Sequence, residues 1–468
     1  MSKKKAQPAQ VSYFFGKGYS DLWNTIKEAW ALNGQSIAEQ NAKRKANKFF
    51  SFRGGLALTS LICIAIFGTI ITAITSALHI AILFVAFLIV YLMFTVVWLV
   101  DRFYMYIHKI SNACPYPDCQ AHFLLPIYKC PNCGVQHTNL VPGKYGILHR
   151  TCQCGEKLPT TFFNGRNNLD ALCPVCKRPL KGDTASRQLT IPVIGGPAVG
   201  KTCLINMAID NLVNNVAPKL GWNIDFISDA EYKQYNNVIS NFKKGIAPNK
   251  TDEDALTACQ LMIKLPNSKV GRRLYIDDIS GEMFSDSGTI QHNKAFSYAD
   301  GFVFLIDPLT IPDYNMKVID KVDPEEYGAS TKDFDDIFDI MLSNLQALFG
   351  LKPSDVLKKN LAVVINKGDI PGLSDEIGDA AAEKYMQSHK DCKNINDAKN
   401  AVCKNFLVEN GEGNFVREAD EKFKKVQYFT CSALGHNKTG KPFEGKNTEK
   451  PFLWIMNQID PKLDLAKA

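Results

Sequence analysis

The chain has 468 residues, 46% hydrophobic and 22% charged, which leaves room for two or three domains and excludes a disordered protein. Its formal net charge of +7 is unevenly placed: residues 1–53 hold ten bases against three acids, so residues 54–468 are neutral in sum. That distribution excludes a uniformly basic chain that coats nucleic acid.

Within the basic stretch, residues 19–48 read as a helix, with Leu22, Trp23, Ile26, Ala29, Trp30 and Leu32 near helical spacing. Beside Lys43, Arg44, Lys45 and Lys48, this is either a helix lying on anionic lipid or a solvated helix that sets topology. From Gly54 to Val100 there are 47 residues without Asp, Glu, Lys or Arg. A single helix of that length would be about 70 Å long, whereas a bilayer core of about 30 Å needs about 20 residues per span. Two spans are therefore predicted, at 55–76 and 79–100, with Thr75, Ser76 and His79 as the polar turn. Gly68 and neighbouring small residues would let them pack closely, and Tyr91, Trp98, Phe103 and Tyr104 resemble an interfacial aromatic belt. Bases on both flanks place the N-terminus and everything after Val100 in the cytosol, the chain crossing the cytoplasmic membrane as a multi-pass hairpin in contact with the lipid bilayer. A buried helix pair in a soluble protein is the competing reading. A cleaved signal peptide starts earlier and is shorter than this run.

Eight of the 14 Cys fall within residues 114–176. They form four pairs: Cys114 and Cys119, Cys130 and Cys133, Cys152 and Cys154, Cys173 and Cys176. In a reducing compartment such short pairs are metal knuckles, and two pairs converging make a tetrahedral thiolate cage for zinc. The pattern resembles two consecutive zinc ribbons holding two Zn²⁺ ions, with the pairing of the knuckles open and His122, His137 or His149 as possible replacements for a Cys. So little apolar core accompanies these residues that metal would supply most of their folding free energy. No dense array of bases and aromatics appears in 101–180, which favours a spacer or protein-docking role over nucleic acid. The other six Cys (63, 203, 259, 392, 403 and 431) read as ordinary buried thiols.

Beyond residue 185 strands and helices alternate. Gln188–Ile194 reads as a strand and runs into Gly195-Gly-Pro-Ala-Val-Gly200-Lys201-Thr202, followed by a helix from Cys203. This is GxxxxGK[ST] in the strand–loop–helix setting where backbone N–H groups close around phosphates. Gly195, Gly200 and Cys203 belong to that cradle, Lys201 reaches the β- and γ-phosphates, and Thr202 is a ligand for Mg²⁺. The strand at 273–276 leads to Asp277-Asp278-Ile-Ser-Gly281-Glu282, a DxxG pattern in which Asp278 holds Mg²⁺ and the Gly281 N–H meets the γ-phosphate. Gly301–Ile306 is a further buried strand ending at Asp307. Strand 361–365 ends in Asn366-Lys367-Gly368-Asp369, an NKxD pattern whose Asp accepts from guanine N1–H and N2–H₂, donors that adenine lacks. After strand 426–430 come Cys431, Ser432, Ala433 and Leu434, where the Ala433 N–H would bind guanine O6. Taken singly, NKGD and DDISG are ordinary loops. Four in order, each after a strand, select GTP or GDP over ATP.

With these motifs, residues 187–465 resemble a Ras-like P-loop GTPase of the translation-factor-related class, similar to the bacterial double-GTPase type through the ending Pro451–Ile455 and its long insertions. The resemblance implies GTP hydrolysis with Mg²⁺, and a link to conflict or defence systems. Position 282 is Glu where such enzymes commonly carry a water-orienting Gln, so turnover would be slow without an activator. Leu434 stands where Lys is usual. Thr251 is the candidate switch threonine, with Thr257 or an ordinary loop threonine as the alternative, and Arg272 or Arg273 is either a finger supplied in cis or a strand-entry charge.

The fold class expected is thus α/β: a P-loop GTPase domain with a mainly parallel sheet flanked by helices (187–465). It is preceded by a basic N-terminal segment (1–53), a two-helix transmembrane hairpin (54–100) and two small zinc ribbons (110–180). Lys201, Gly281 and Glu282 would carry hydrolysis. The partners expected are GTP, the lipid bilayer and an unidentified protein partner or activator, with nucleic acid not favoured. The competing expectation is a scaffold that binds GTP without turning it over, its ribbons recruiting a protein or nucleic acid.

Overall fold

A computed structural model describes residues 7–47, 51–116, 119, 121–180, 184, 186–246, 257–279, 296, 298–323, 327–350, 352, 354, 357–389, 392–436 and 441–463. The chain divides into two compact units, one of residues 1–109 with 124–180, the other of residues 110–123 with 181–468.

In the first unit, helix α1 (Lys17–Ala46) packs antiparallel along a long helix α2 (Phe52–Ile107). Tyr19 meets Phe87 edge to face at one end, the Trp30 indole donates to Ser76 Oγ (3.0 Å), and Asn33 Nδ2 donates to Thr69 Oγ1 (3.2 Å). The predicted hairpin is not formed. Thr75, Ser76 and His79 lie inside one uninterrupted α-helical stretch, Thr69–Ile107. The reason is local: that stretch contains neither Pro nor Gly, and Thr72 and Thr75 turn their hydroxyls back onto the carbonyls of Gly68 and Ile71, so polar residues are accommodated without a turn. One turn of π-helix, Ile64–Gly68, is the only irregularity in α2. The close approach expected of Gly68 is to α1, where Asn33 Oδ1 lies 2.8 Å from the position a Cβ would take. Helix α1 therefore lies against protein along this face, although Trp23 and Leu32 remain exposed.

Helix α2 is 56 residues long and is the only helix among the described residues long and apolar enough to cross a membrane. At 1.5 Å per residue it extends about 84 Å, well beyond one bilayer core. Its last turns are built into the ribbon layer. Asp101 is 1% exposed; it accepts from Phe162 N (2.8 Å) and pairs with Arg166 (3.0 Å), whose guanidinium also donates to the carbonyls of Leu140 and Thr160. Tyr104, expected in a lipid-facing belt, stacks on Phe162 instead. Replacing Asp101 by Ala leaves Arg166 charged and unpaired by an acid in the interior, with an expected cost of about 3–5 kcal/mol. The check is urea unfolding of the detergent-solubilised chain followed at the ribbons, with Asp101→Ala/Arg166→Met recovering most of the loss.

The ribbon layer contains a four-stranded antiparallel sheet in which Ile127–Lys129 pairs with Gln136–His137 and with Ala171–Leu172, and Ala171–Leu172 pairs with Pro179–Leu180. A separate hairpin joins His149–Thr151 to Lys157–Pro159.

The second unit is an α/β layer structure around a seven-stranded sheet. Its strands are β1 (Ser186–Gly195), β2 (Asn223–Phe226), β3 (Thr257–Lys264), β4 (Gly271–Asp278), β5 (Gly301–Ile306), β6 (Leu357–Ile365) and β7 (Phe423–Thr430), in the order β2-β3-β4-β1-β5-β6-β7. Only β3 runs against the others. Buried residues alternate between two cores with period two, as strands covered on both faces require. Phe302, Phe304 and Ile306 of β5 enter an aromatic-rich core with Phe338 and Phe415. Val303 and Leu305 enter the opposite core with Leu189, Ile191 and Val193 of β1, packed under helix α3 (Lys201–Asn211).

Candidate functional site

Parallel strands aim their C-terminal ends at one edge of the sheet, and ligands bind there because loops and helix N-termini converge on it. Five strand ends gather at that edge: those of β1, β4, β5, β6 and β7. The loop after β1 closes on the N-terminus of α3 with Ala198 (φ 59°) and Gly200 (φ 89°) in left-handed conformation, which turns successive N–H groups into a concave anion nest. At Gly200 a side chain is also excluded by space, since Asn366 Nδ2 lies 2.7 Å from the position of its Cβ. Lys201 is 8% exposed and donates to the carbonyls of Gly195 (2.9 Å) and Gly196 (2.8 Å). Thr202 Oγ1 donates to Asp278 Oδ2 (2.6 Å), so the two oxygens expected around Mg²⁺ already touch. Burial, with the Asp278 charge as a second cause, pushes the neighbouring Cys203 thiol up to about 12; it is inert at neutral pH.

The base side is organised by β6 and β7. Asn366 donates to Val199 O (2.7 Å), tying the NKGD loop to the phosphate loop, and its buried Oδ1 has no partner among the described residues. Ser432 donates to the half-buried Asp369 carboxylate and accepts from Gly435 N (2.7 Å), which fixes Asp369 against the loop holding Ala433. Leu434 O accepts from Glu444 N. Lys367 adopts φ 53° and is held by an ion pair to Asp307 (2.6 Å), a carboxylate 2% exposed that also accepts from Ser330 N. Ser330 in turn sits over the phosphate loop, 2.6 Å from the position a Gly196 Cβ would take. The tie from Asp307 to Lys367 and Ser330 went unseen in the sequence. The only signal available was an Asp directly after a fully apolar strand.

Thr251, Gly281 and Glu282 lie outside the described residues, as does the side chain of Thr257. Neither arginine suggested as a finger is near the phosphate loop along its strand. Arg272 and Arg273 begin β4, roughly 20 Å in extended chain from Asp278. Arg272 is buried in an ion pair with Asp460, and Arg273 donates to Ala113 O. Both stand where β4 begins, as the strand-entry alternative has it, because a strand sends its two ends to opposite edges of the sheet.

In the first unit, Cys130, Cys133, Cys152 and Cys154 bring their sulfurs within 4.8 Å of one another. Two of the S···S distances are 3.6 Å, close to the spacing of about 3.8 Å that four Zn–S bonds of about 2.3 Å impose in a tetrahedron. The Cys130 N–H donates to Val135 O and its carbonyl accepts from Gly134 N, the tight turn that a knuckle needs. The cage thus unites the second and third pairs in chain order, so the pairs do not close two by two along the sequence. The Cys173 knuckle has the same kind of turn, with Val175 N donating to Cys173 Sγ (3.4 Å). No His belongs to the four-thiol sets found among the described residues: His122 stacks on Tyr298, His137 is buried, and His149 is exposed.

Among known proteins, residues 189–412 match the family model described as Double-GTPase 2, a stretch that contains the phosphate loop, DDISG and NKGD and stops before Ser432. No curated protein matches the chain. Over residues 189–412 the match supports a P-loop GTPase domain of the double-GTPase type, and with it GTP binding and hydrolysis in general.

Proposed function

We propose that the chain is a membrane-anchored GTPase switch that binds GTP with Mg²⁺ and hydrolyses it to GDP. The observation that carries the reading is the gathering of the C-terminal ends of β1, β4, β6 and β7 at one sheet edge, with Thr202 bonded to Asp278 and Ser432 bonded to Asp369. Lys201 exchanges its two loop carbonyls for phosphate oxygens, Thr202 and Asp278 hold Mg²⁺, and Asn366, Asp369 and the Ala433 N–H read guanine. The metal's chemistry is charge neutralisation on the phosphates. Gly281 is assigned the γ-phosphate contact and Glu282 the orientation of water. The lipid-facing element is α2, whose exposed Ile70, Ile74, Leu78, Phe84, Leu88, Leu92 and Leu99 leave a wide apolar surface open. Zinc occupies the Cys130/Cys133/Cys152/Cys154 cage, and the eight thiols of the four pairs suffice for two ions per chain.

The deciding assay is phosphate release from GTP and from ATP by the full chain in detergent. A fragment starting at 185 is unsuitable, because residues 110–123 pack with the GTPase unit. GTP turnover with at least about tenfold preference over ATP is expected. Absence of turnover, with membranes and candidate partners supplied, would leave the scaffold reading that Glu282 favours. For the metal, elemental analysis should give two zinc per chain, and Cys130→Ser/Cys133→Ser should lower it to one. Well under two in the unaltered chain refutes the assignment.

A further inference from the structure

Lys367 holds a backbone conformation that lysine rarely adopts. Between Asn366 and Asp369 its φ is 53°, in the left-handed region where a Cβ crowds the following carbonyl oxygen. A residue stays there only when its surroundings hold it. The holder comes from the neighbouring strand. Ile306 and Ile365 are register partners at the ends of β5 and β6, and Asn366 N donates to Ile306 O (3.0 Å), so Asp307 and Lys367 leave the sheet at the same level. Lys367 Nζ donates to Asp307 Oδ2 (2.6 Å) and to Gly328 O (2.8 Å). The two oxygens of Asp307 have separate partners. Oδ1 accepts from Leu309 N (3.1 Å) and caps the turn Pro308–Thr310. Oδ2 accepts from Lys367 and also from Ser330 N (2.8 Å). One buried carboxylate oxygen therefore fastens the NKGD loop to the segment 328–330, whose Ser330 lies against Gly196 of the phosphate loop. On either side of Lys367, Asn366 is bonded to Val199 O, Gly368 N to Cys431 O (2.9 Å) and the Asp369 carboxylate to Ser432. Lys367 is the member of the motif whose anchor works against its own backbone preference.

We propose that Asp307 is a positioning residue for guanine recognition: its ion pair with Lys367 holds the left-handed turn of the NKGD loop that sets Asp369 at the base edge. The proposal rests on the GTP reading above, in which Asp369 accepts from guanine N1–H and N2–H₂. Asp307 acts through Lys367 and needs no contact with nucleotide. The pair is strong where it stands, because the carboxylate is buried and little water screens it from the ammonium. Without it, Lys367 returns to the right-handed region and turns the peptide that leads into Gly368. Asp369 then leaves the position in which both of its oxygens serve, one held by Ser432, and the base edge is no longer read. The phosphate loop keeps its shape, since Gly200 and the Asn366 tie set it independently of Asp307.

The test is equilibrium binding of GDP and of inosine diphosphate, each with Mg²⁺, to the full chain in detergent. Inosine has the N1–H of guanosine but no 2-amino group, so the ratio of the two affinities reads the placement of Asp369 apart from phosphate binding. The unaltered chain should favour GDP by at least about tenfold, the worth of one hydrogen bond to a charged acceptor. Asp307→Asn keeps an acceptor for Leu309 N and turns an amide donor toward Lys367 and Ser330 N. Its ratio should fall below about twofold, while affinity for inosine diphosphate changes by less than about threefold. Glycine adopts φ 53° without a clamp, so Lys367→Gly should keep the ratio, and adding Asp307→Asn to it should change the ratio no further. That double variant leaves no charge unpaired and carries the test if Asp307→Asn alone does not fold. An unchanged ratio in Asp307→Asn, or a proportional loss of both affinities, overturns the proposal alone. So does loss of the ratio in Lys367→Gly or in the double variant. An unaltered chain that binds neither nucleotide, or binds both equally, overturns the guanine reading of Asp369 and the proposal with it.

Discussion

Lys201→Ala is expected to lower GTP turnover by about 10²–10³, the range observed when one preorganised electrostatic donor is removed from a site of developing negative charge. The lysine is placed to have that effect. It starts α3, is nearly buried, and its ammonium is held at the mouth of the loop by the carbonyls of Gly195 and Gly196. A phosphate entering the nest meets a charge already desolvated and already oriented, so little reorganisation is needed. The fold should survive the change, because Asn366 still ties the loop to β6 and the glycines still set its backbone. A thermal midpoint within a few degrees of the unaltered chain, measured beside the phosphate-release rate, separates lost chemistry from lost folding. Unchanged turnover would remove Lys201 from the mechanism and with it the central element of the GTPase reading.

Asp369→Asn should abolish the preference for guanine. The carboxylate is half-buried, is held by Ser432, and sits at the end of β6 with its loop locked to Cys431 by Gly368 N (2.9 Å). It can accept two hydrogen bonds from the guanine edge, whereas an amide presents a donor where the carboxylate presented an acceptor. Selection by paired polar groups of this kind is worth on the order of 10⁴, and most of it should disappear. Xanthine carries a C2 carbonyl in place of the amino group, so the amide of the variant complements it, and xanthosine triphosphate should support turnover by the Asn variant. That gain distinguishes a changed specificity from a damaged fold. Retention of GTP over ATP selectivity would refute the assignment of the guanine edge to Asp369.

The strands that carry the loops were readable because each is a short apolar run with one motif at its end. Gly301–Ile306 was delimited to the residue, while β1, β4, β6 and β7 extend one to four residues beyond the apolar runs seen in the sequence. The helices expected near 333–349 and 380–410 exist as Phe334–Phe349, Asp379–Ser388 and Ile395–Glu409. Charge-free length from Gly54 to Val100 was equally plain, but its division into two spans was not, since Thr75 returns its hydroxyl to Ile71 O and the helix runs on unbroken. The Asp101–Arg166 pair was invisible because its members are 65 residues apart and neither stands in a recognisable pattern.

By itself the sequence determined the order of the phosphate, DxxG, NKGD and Ser432 loops, the apolar length of α2 and the four thiol pairs, all of which are local patterns of spacing and polarity. Tertiary structure decided which pairs share a cage, that α2 is one helix with α1 along it, and that residues 110–123 cover the GTPase sheet. Those outcomes depend on where buried donors such as Gln260 and Arg273 find acceptors. That search runs through space, and two side chains far apart in the chain leave no periodic trace of it.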